Sequence, residues 1–194
     1  MKEWKPSRTA TSAIFLVIVF AVAAPRLAVA ADMTVSSNAV LEGKPLPSKM
    51  AYNQKDCGGQ NLSPDLAWTG APAETKSFAI TVFDPDARSG KGWWHWLAFN
   101  IPHMVTHLPA GEGSHKSGSV PNGSIQSKND FGNSAYDGPC PPPGSGVHHY
   151  VITVYAIDID KLPLAADAEP AEVKAALEEH KLVSAKITGL YQRP

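Results

Sequence analysis

HHYVITVYAIDI, residues 148–159, is the strongest strand signal in the chain, and the fold class is worked out from it. Val151, Val154, Tyr155 and Ile157 supply the β-branched and aromatic residues that suit a pleated, half-buried surface. With the strand starting at His148, its two-residue repeat puts His148 and Tyr150 on one face and His149 on the other. SFAITVF (77–83) is a second strand, stopped by Asp84-Pro85-Asp86, and Trp94 to Ile101 is a third, ended by Pro102. From Met33 onward, turn formers recur roughly every eight to twelve residues, a spacing that predicts a mainly β domain. Leu108 to Tyr136 is rich in Gly, Ser and Asn and predicts a long irregular connection carrying short strands. Glu169-Pro170-Ala171 opens a helix, with Val173, Ala176, Leu177 and His180 at helical spacing. Ala185 to Tyr191 is the last strand. No internal repeat and no second domain are evident.

The N-terminus is set apart from this domain. Lys2, Lys5 and Arg8 precede an apolar run from Ala13 to Ala24, and Ala28-Val29-Ala30 has the small residues that a signal peptidase reads. The run is about twelve residues, short of the roughly twenty that span a bilayer. The expectation is a signal peptide over 1–30, a mature domain over 31–194, and a periplasmic or secreted location. Setting aside Lys2, Lys5, Arg8, Arg26 and Glu3 leaves 13 basic and 17 acidic residues, a net charge near −4. That balance carries no basic stripe, which argues against nucleic acid as a partner. Stable membrane insertion after signal removal is not expected either, since no basic amphipathic helix is evident. Cys57 and Cys140 are the two cysteines of a chain bound for an oxidising compartment, so one structural disulfide is expected.

Two segments concentrate the chemistry. The first joins Asp84-Pro85-Asp86 to Trp93-Trp94-His95-Trp96, and the second joins Gly138-Pro139-Cys140 to His148-His149-Tyr150. Alternation would place His95 with Leu97 and Phe99, and Trp94 with Trp96 on the opposite face. Imidazolium and phenol groups donate to a phosphate. A neighbouring carboxylate is expected to orient an imidazole and raise its pKa, so that a dianion binds at neutral pH and is released as pH rises. Taken singly, Asp84 and Asp86 are ordinary turn residues, and His103, His107 and His115 are solvated.

CGGQNLSPDLAW (57–68), TKSFAITVFDPDA (75–87), GWWHWLAFNIP (92–102), NDFGNSAYDGPCPP (129–142) and HHYVITVYAID (148–158) follow one another in an order that resembles the phosphatidylethanolamine-binding protein family, in particular its bacterial, Raf-kinase-inhibitor-like branch. The resemblance spans about Thr34 to the C-terminus. It implies a single mainly β domain of antiparallel sheets with peripheral helices and a small surface pocket for a phosphate or a phospholipid head group. By motif the pocket residues would be Asp84, Asp86, His95, Gly138, Pro139, His148 and Tyr150, with Cys140 stapling the pocket wall to the Cys57 loop. The chain departs from the family where His149 stands in place of the usual arginine and where Pro143 is extra. Loss of that arginine removes a permanent charge.

The resulting expectation is an exported, non-enzymatic binding protein for a small anionic or phosphorylated ligand, with no cofactor and no metal. Family roles in modulating kinases, proteases or signalling partners are implied by the resemblance alone, and an export signal argues against carrying over a Raf-type target. Two alternatives stand beside it. One is a metal-dependent hydrolase using His95, His148 and an Asp, since three ligands and an open position suit zinc; there is no HExxH spacing. The other is a protease-inhibitor module acting through surface loops. A serine hydrolase lacks the GxSxG elbow.

Overall fold

The computed structural model describes residues 1–3, 32–114 and 120–194. The expected signal segment therefore lies almost wholly outside the described residues, as does His115. The chain forms strands β1 (Thr34–Ser36), β2 (Lys44–Pro45), β3 (Leu66–Thr69), β4 (Ser77–Asp84), β5 (Trp93–Pro102), β6 (His107–Leu108), β7 (Ile125–Gln126), β8 (His148–Ile157) and β9 (Lys181–Tyr191). A single turn, α1 (Ala87–Gly90), follows β4, and a longer helix, α2 (Pro170–His180), precedes β9. A three-stranded sheet has the order β1-β3-β6, and a six-stranded sheet the order β2-β9-β8-β4-β5-β7. All pairings are antiparallel except β2 with β9. This is the mainly β, single-domain architecture that the strand pattern and the resemblance predict.

Alternation sorts the large sheet into two apolar faces. Phe78, Ile80 and Val82 of β4, with Ile152 and Val154 of β8, face Leu66 and Trp68 of the small sheet. Ala79, Leu97 and Phe99 face the other way, onto Val173, Ala176 and Leu177 of α2. Because β4 is covered on both sides, SFAITVF is buried almost throughout and does not alternate between apolar and charged residues. Burying one such side chain contributes about 1.5–3 kcal/mol, so the core sits in these two layers. The sequence-predicted start of β9 at Ala185 is four residues late, because α2 runs into the strand at Lys181 with no loop. The 108–136 connection does carry two-residue strands, β6 and β7. Among the described residues, no helix is long and apolar enough to cross a membrane.

Candidate functional site

Asp84 ends β4 on the same face as Val82, next to the start of β8. One of its oxygens, Oδ1, accepts the backbone N–H groups of Asp86 (2.9 Å) and Ala87 (3.2 Å) and so closes the turn. The other, Oδ2, accepts Nδ1–H of His148 at 2.7 Å, and both side chains are buried. On its far side, His148 Nε2 lies 3.1 Å from Ser145 Oγ. Asp84, His148 and Ser145 thus stand in the order of an acyl-transfer triad. The serine hydroxyl, however, donates to the Pro142 carbonyl at 2.7 Å, so its single proton is not held by the imidazole. In that arrangement the chain of bonds clamps the proline-rich turn rather than activating a nucleophile.

His95 reaches the same face by a route that strand alternation does not foresee. Val82 pairs with Trp96 but Phe83 pairs with Trp94, which leaves His95 as the extra residue of a β-bulge. The bulge reverses the expected facing. His95 does not lie with Leu97 and Phe99, and Trp94 and Trp96 point apart, Trp96 into the core against the small sheet and Trp94 onto Phe83. The His95 ring meets the Tyr150 ring edge-on with centroids 5.1 Å apart, so strands β5 and β8 do bring their imidazoles toward one hollow.

His95 Nδ1–H donates to the Asp137 carbonyl at 2.6 Å, and the Asp137 N–H donates back to the His95 carbonyl at 2.9 Å. Burial pushes the His95 pKa below the ordinary value. The carbonyls of Asp137 and Gly138 and the charges of Asp84 and Asp137 only partly oppose it. The expected upward shift is therefore reversed at this histidine: desolvation outweighs the carboxylates. The ring is neutral at pH 7 and keeps its lone pair on Nε2. Since the folded state holds this proton less tightly than the unfolded chain, His95 contributes stability that is full above about pH 6.5 and is lost as pH falls toward the folded value. Urea unfolding of His95→Asn should show a shallower loss of stability between pH 6.5 and pH 5 than the parent protein. An unchanged slope would refute this assignment.

A buried amide–carboxylate network holds the His95 partner in place. Asp137 accepts Nδ2–H bonds from Asn61 (3.0 Å), Asn129 (2.7 Å) and Asn133 (2.8 Å). Gly138 N–H donates to Asn61 Oδ1 at 2.7 Å, and the Pro139 carbonyl accepts from Tyr52 N–H at 3.0 Å. A Cβ on Gly138 would stand 1.9 Å from the Met50 carbonyl oxygen, so close backbone packing requires glycine there. Gly138 and Pro139 are both buried, and their backbone groups join this network beside the hollow's Cys140.

The hollow itself has a volume of about 590 Å³ and is lined by Asp84, Asp86, His95, His148 and Tyr150, together with Trp93, Phe131 and Ser145. Two buried donors belong to residues that line it: the Trp93 indole N–H has no hydrogen-bond partner, and the Tyr150 hydroxyl stands beside the Asp84 carboxylate. Burial first, and then the Asp84 carboxylate, push the Tyr150 hydroxyl far above the ordinary tyrosine value, so it remains a proton donor. Asp86 Oδ2 accepts both the backbone N–H (2.8 Å) and ring Nδ1–H (2.9 Å) of exposed His149. Burial works against ionisation of Asp86, but these bonds and the charges of His149 and His148 together hold its carboxyl below the ordinary value. His149 thus binds the DPD turn in this structure. Cys57 and Cys140 are joined, with Cα atoms 5.6 Å apart, and Cys140 borders the hollow.

Among the described residues, no three His, Cys, Asp or Glu side chains are grouped to hold a metal ion. The nitrogens proposed as zinc ligands are partly committed, Nδ1 of His95 to a carbonyl and Nδ1 of His148 to Asp84. Sequence reasoning missed Asp137, Asn129, Ser145, Trp93 and Phe131. Asn129 and Asp137 lie inside the quoted string 129–142, where two amides and two carboxylates crowd a turn; that density was the available signal. Ser145 and Phe131 gave none.

A mainly β domain with a solvent-open hollow, where two imidazoles, a carboxylate and a phenol converge at one end of a sheet, is the class of protein that this fold defines. The chain belongs to the phosphatidylethanolamine-binding protein family, whose description matches residues 36–192. It is 42% identical over 163 residues to the UPF0098 protein YbcL of Escherichia coli, covering 84% of this chain and 89% of that protein. It is also 42% identical over 159 residues to the UPF0098 protein YbhB of the same organism, covering 82% and 99%. The crystal structure of E. coli YbcL, described as a new member of the mammalian family, superposes with a TM-score of 0.81 at 41% identity, covering 84% of this chain and all of that one.

Proposed function

We propose that the protein is an exported, non-enzymatic binding protein whose cavity takes a small phosphate-type anion, such as a phospholipid head group, and that occupancy modulates a kinase, protease or signalling partner. Export rests on the N-terminal sequence, with cleavage after Ala30. The observation that carries the binding reading is the Trp93 indole N–H, buried on a residue that lines the cavity and lacking a partner. A buried orphan donor costs about 1–3 kcal/mol of desolvation unless something accepts from it. An anion in the cavity would accept from it and from the Tyr150 hydroxyl. A protonated phosphate oxygen would in turn donate to the neutral His95 Nε2. The head-group reading also draws on the name of the family. The absence of catalysis is supported by the direction of the Ser145 proton and by the tie of each imidazole to a structural partner.

Isothermal titration with inorganic phosphate tests this on Tyr150→Phe, which deletes one oxygen. Phosphate affinity should fall about tenfold, with an unchanged unfolding midpoint confirming an intact fold. Undiminished phosphate affinity in Tyr150→Phe, or no phosphate binding by the parent protein, would overturn the reading.

A further inference from the structure

Two cations stand at the mouth of the cavity, and both lean on its aromatic wall. Arg88 stacks its guanidinium over the Trp93 ring at 4.4 Å, and Lys55 holds its ammonium 5.9 Å from the centre of the Phe131 ring. Those two rings meet edge to face at 5.3 Å, so the cations bracket a single aromatic pair. Aromatic faces attract cations and limit where they can go. Both side chains line the cavity, and among the described residues neither is in a salt bridge.

The backbone beneath each cation is unusual in the same way. Lys55 and Asp56 have φ of 53° and 57°, and Arg88 and Ser89 have φ of 52° and 56°. Consecutive left-handed residues without a glycine are sparsely populated, and such conformations cluster at ligand clamps. The carboxylates of the cavity are engaged meanwhile, Asp84 by His148 and Asp86 by two bonds from His149. The mouth therefore presents positive charge on both sides, while the carboxylates of Asp84 and Asp86 keep their charge but are turned to His148 and His149.

We propose that Lys55 and Arg88 set the specificity of this cavity, favouring small phosphomonoesters that carry a second negative group over those that carry an ammonium. The inference rests on the anion-binding reading: the phosphate occupies the inner donors, and the cations select what is attached to it. A matched pair of probes separates the two levels. 2-Phosphoglycolate and phosphoethanolamine place a carboxylate or an ammonium at a similar distance from the same phosphate. By titration calorimetry at low salt, 2-phosphoglycolate should bind about tenfold tighter. In the double variant Lys55→Gln/Arg88→Gln the two affinities should agree within about twofold. Raising the salt to about 0.5 M should narrow the gap in the parent protein as well, since both cations are exposed and open to screening. Both substitutions lie outside the core, and an unchanged melting temperature confirms an intact fold. Equal or reversed affinities in the parent protein overturn the specificity assignment and leave the anion cavity standing. A preference that persists in the double variant also overturns it. Failure of both probes to bind overturns the cavity reading and this inference with it.

Discussion

Asp84→Ala should lower the unfolding free energy by about 3–5 kcal/mol and abolish phosphate binding. The size follows from what the substitution leaves behind. Asp84 and His148 are a buried pair, 3% and 6% exposed, and removing one partner leaves the other buried and unpaired. Asp84 Oδ1 also closes the turn onto Asp86 and Ala87, so the start of α1 and the placement of Arg88 go with it. The double variant Asp84→Ala/His148→Ala should lose less than the sum of the single variants, because it strands neither group. Urea unfolding of the four proteins, with m-values compared, measures this. A single-variant loss below about 1 kcal/mol, or full additivity, would show that the pair is not coupled as described.

Opening the Cys57–Cys140 bridge should have the second-largest effect. The bond closes a loop of 83 residues, which the chain-entropy account values at about 4 kcal/mol. Part of that loss should be recovered by the C-terminal tail. Arg193 donates to the Asp56 carbonyl at 3.3 Å and to the Pro141 carbonyl at 3.4 Å, holding the same two segments together. Reduction should also weaken phosphate binding, since the bridge ties the loop carrying Lys55 to the wall formed by Pro141 and Pro142. Comparing Cys57→Ser/Cys140→Ser with the parent protein by urea unfolding and phosphate titration measures both. A loss under about 1 kcal/mol would mean that the bridge is dispensable for the fold.

The strands that frame the cavity were legible in the sequence because their signals are local. SFAITVF and HHYVITVYAI owe their form to β-branched and aromatic content, and the facing of His148, His149 and Tyr150 follows from a two-residue repeat that β8 keeps without a break over those residues. The cysteine pair was legible for a similar reason: with two thiols, one partner is available for each. The opening of α2 was legible too, through Pro170 at an early helical position; the structure adds the bond from Glu169 N–H to the Glu172 carboxylate.

His95 shows where that reasoning ends. Its identity and its strand could be read, but its face could not, since one extra residue in β5 turns it from the helix side of the sheet to the cavity side. A bulge is decided by how two strands register against each other, and residue types along either strand do not record it. The pKa of His95 was misjudged for a related reason. The carboxylates near it were visible in the sequence, whereas its burial under Tyr150 and Phe131 was not, and burial is the larger effect. The amides that fix Asp137, the serine that caps His148 and the cations that lean on Trp93 and Phe131 all come from segments 30 or more residues apart, or from loops without periodicity. Composition and repeat determined the class of this domain and most of its strands. Which side chains meet in the hollow, and with what charge, was decided by packing, because proximity and desolvation are properties of the folded surface alone.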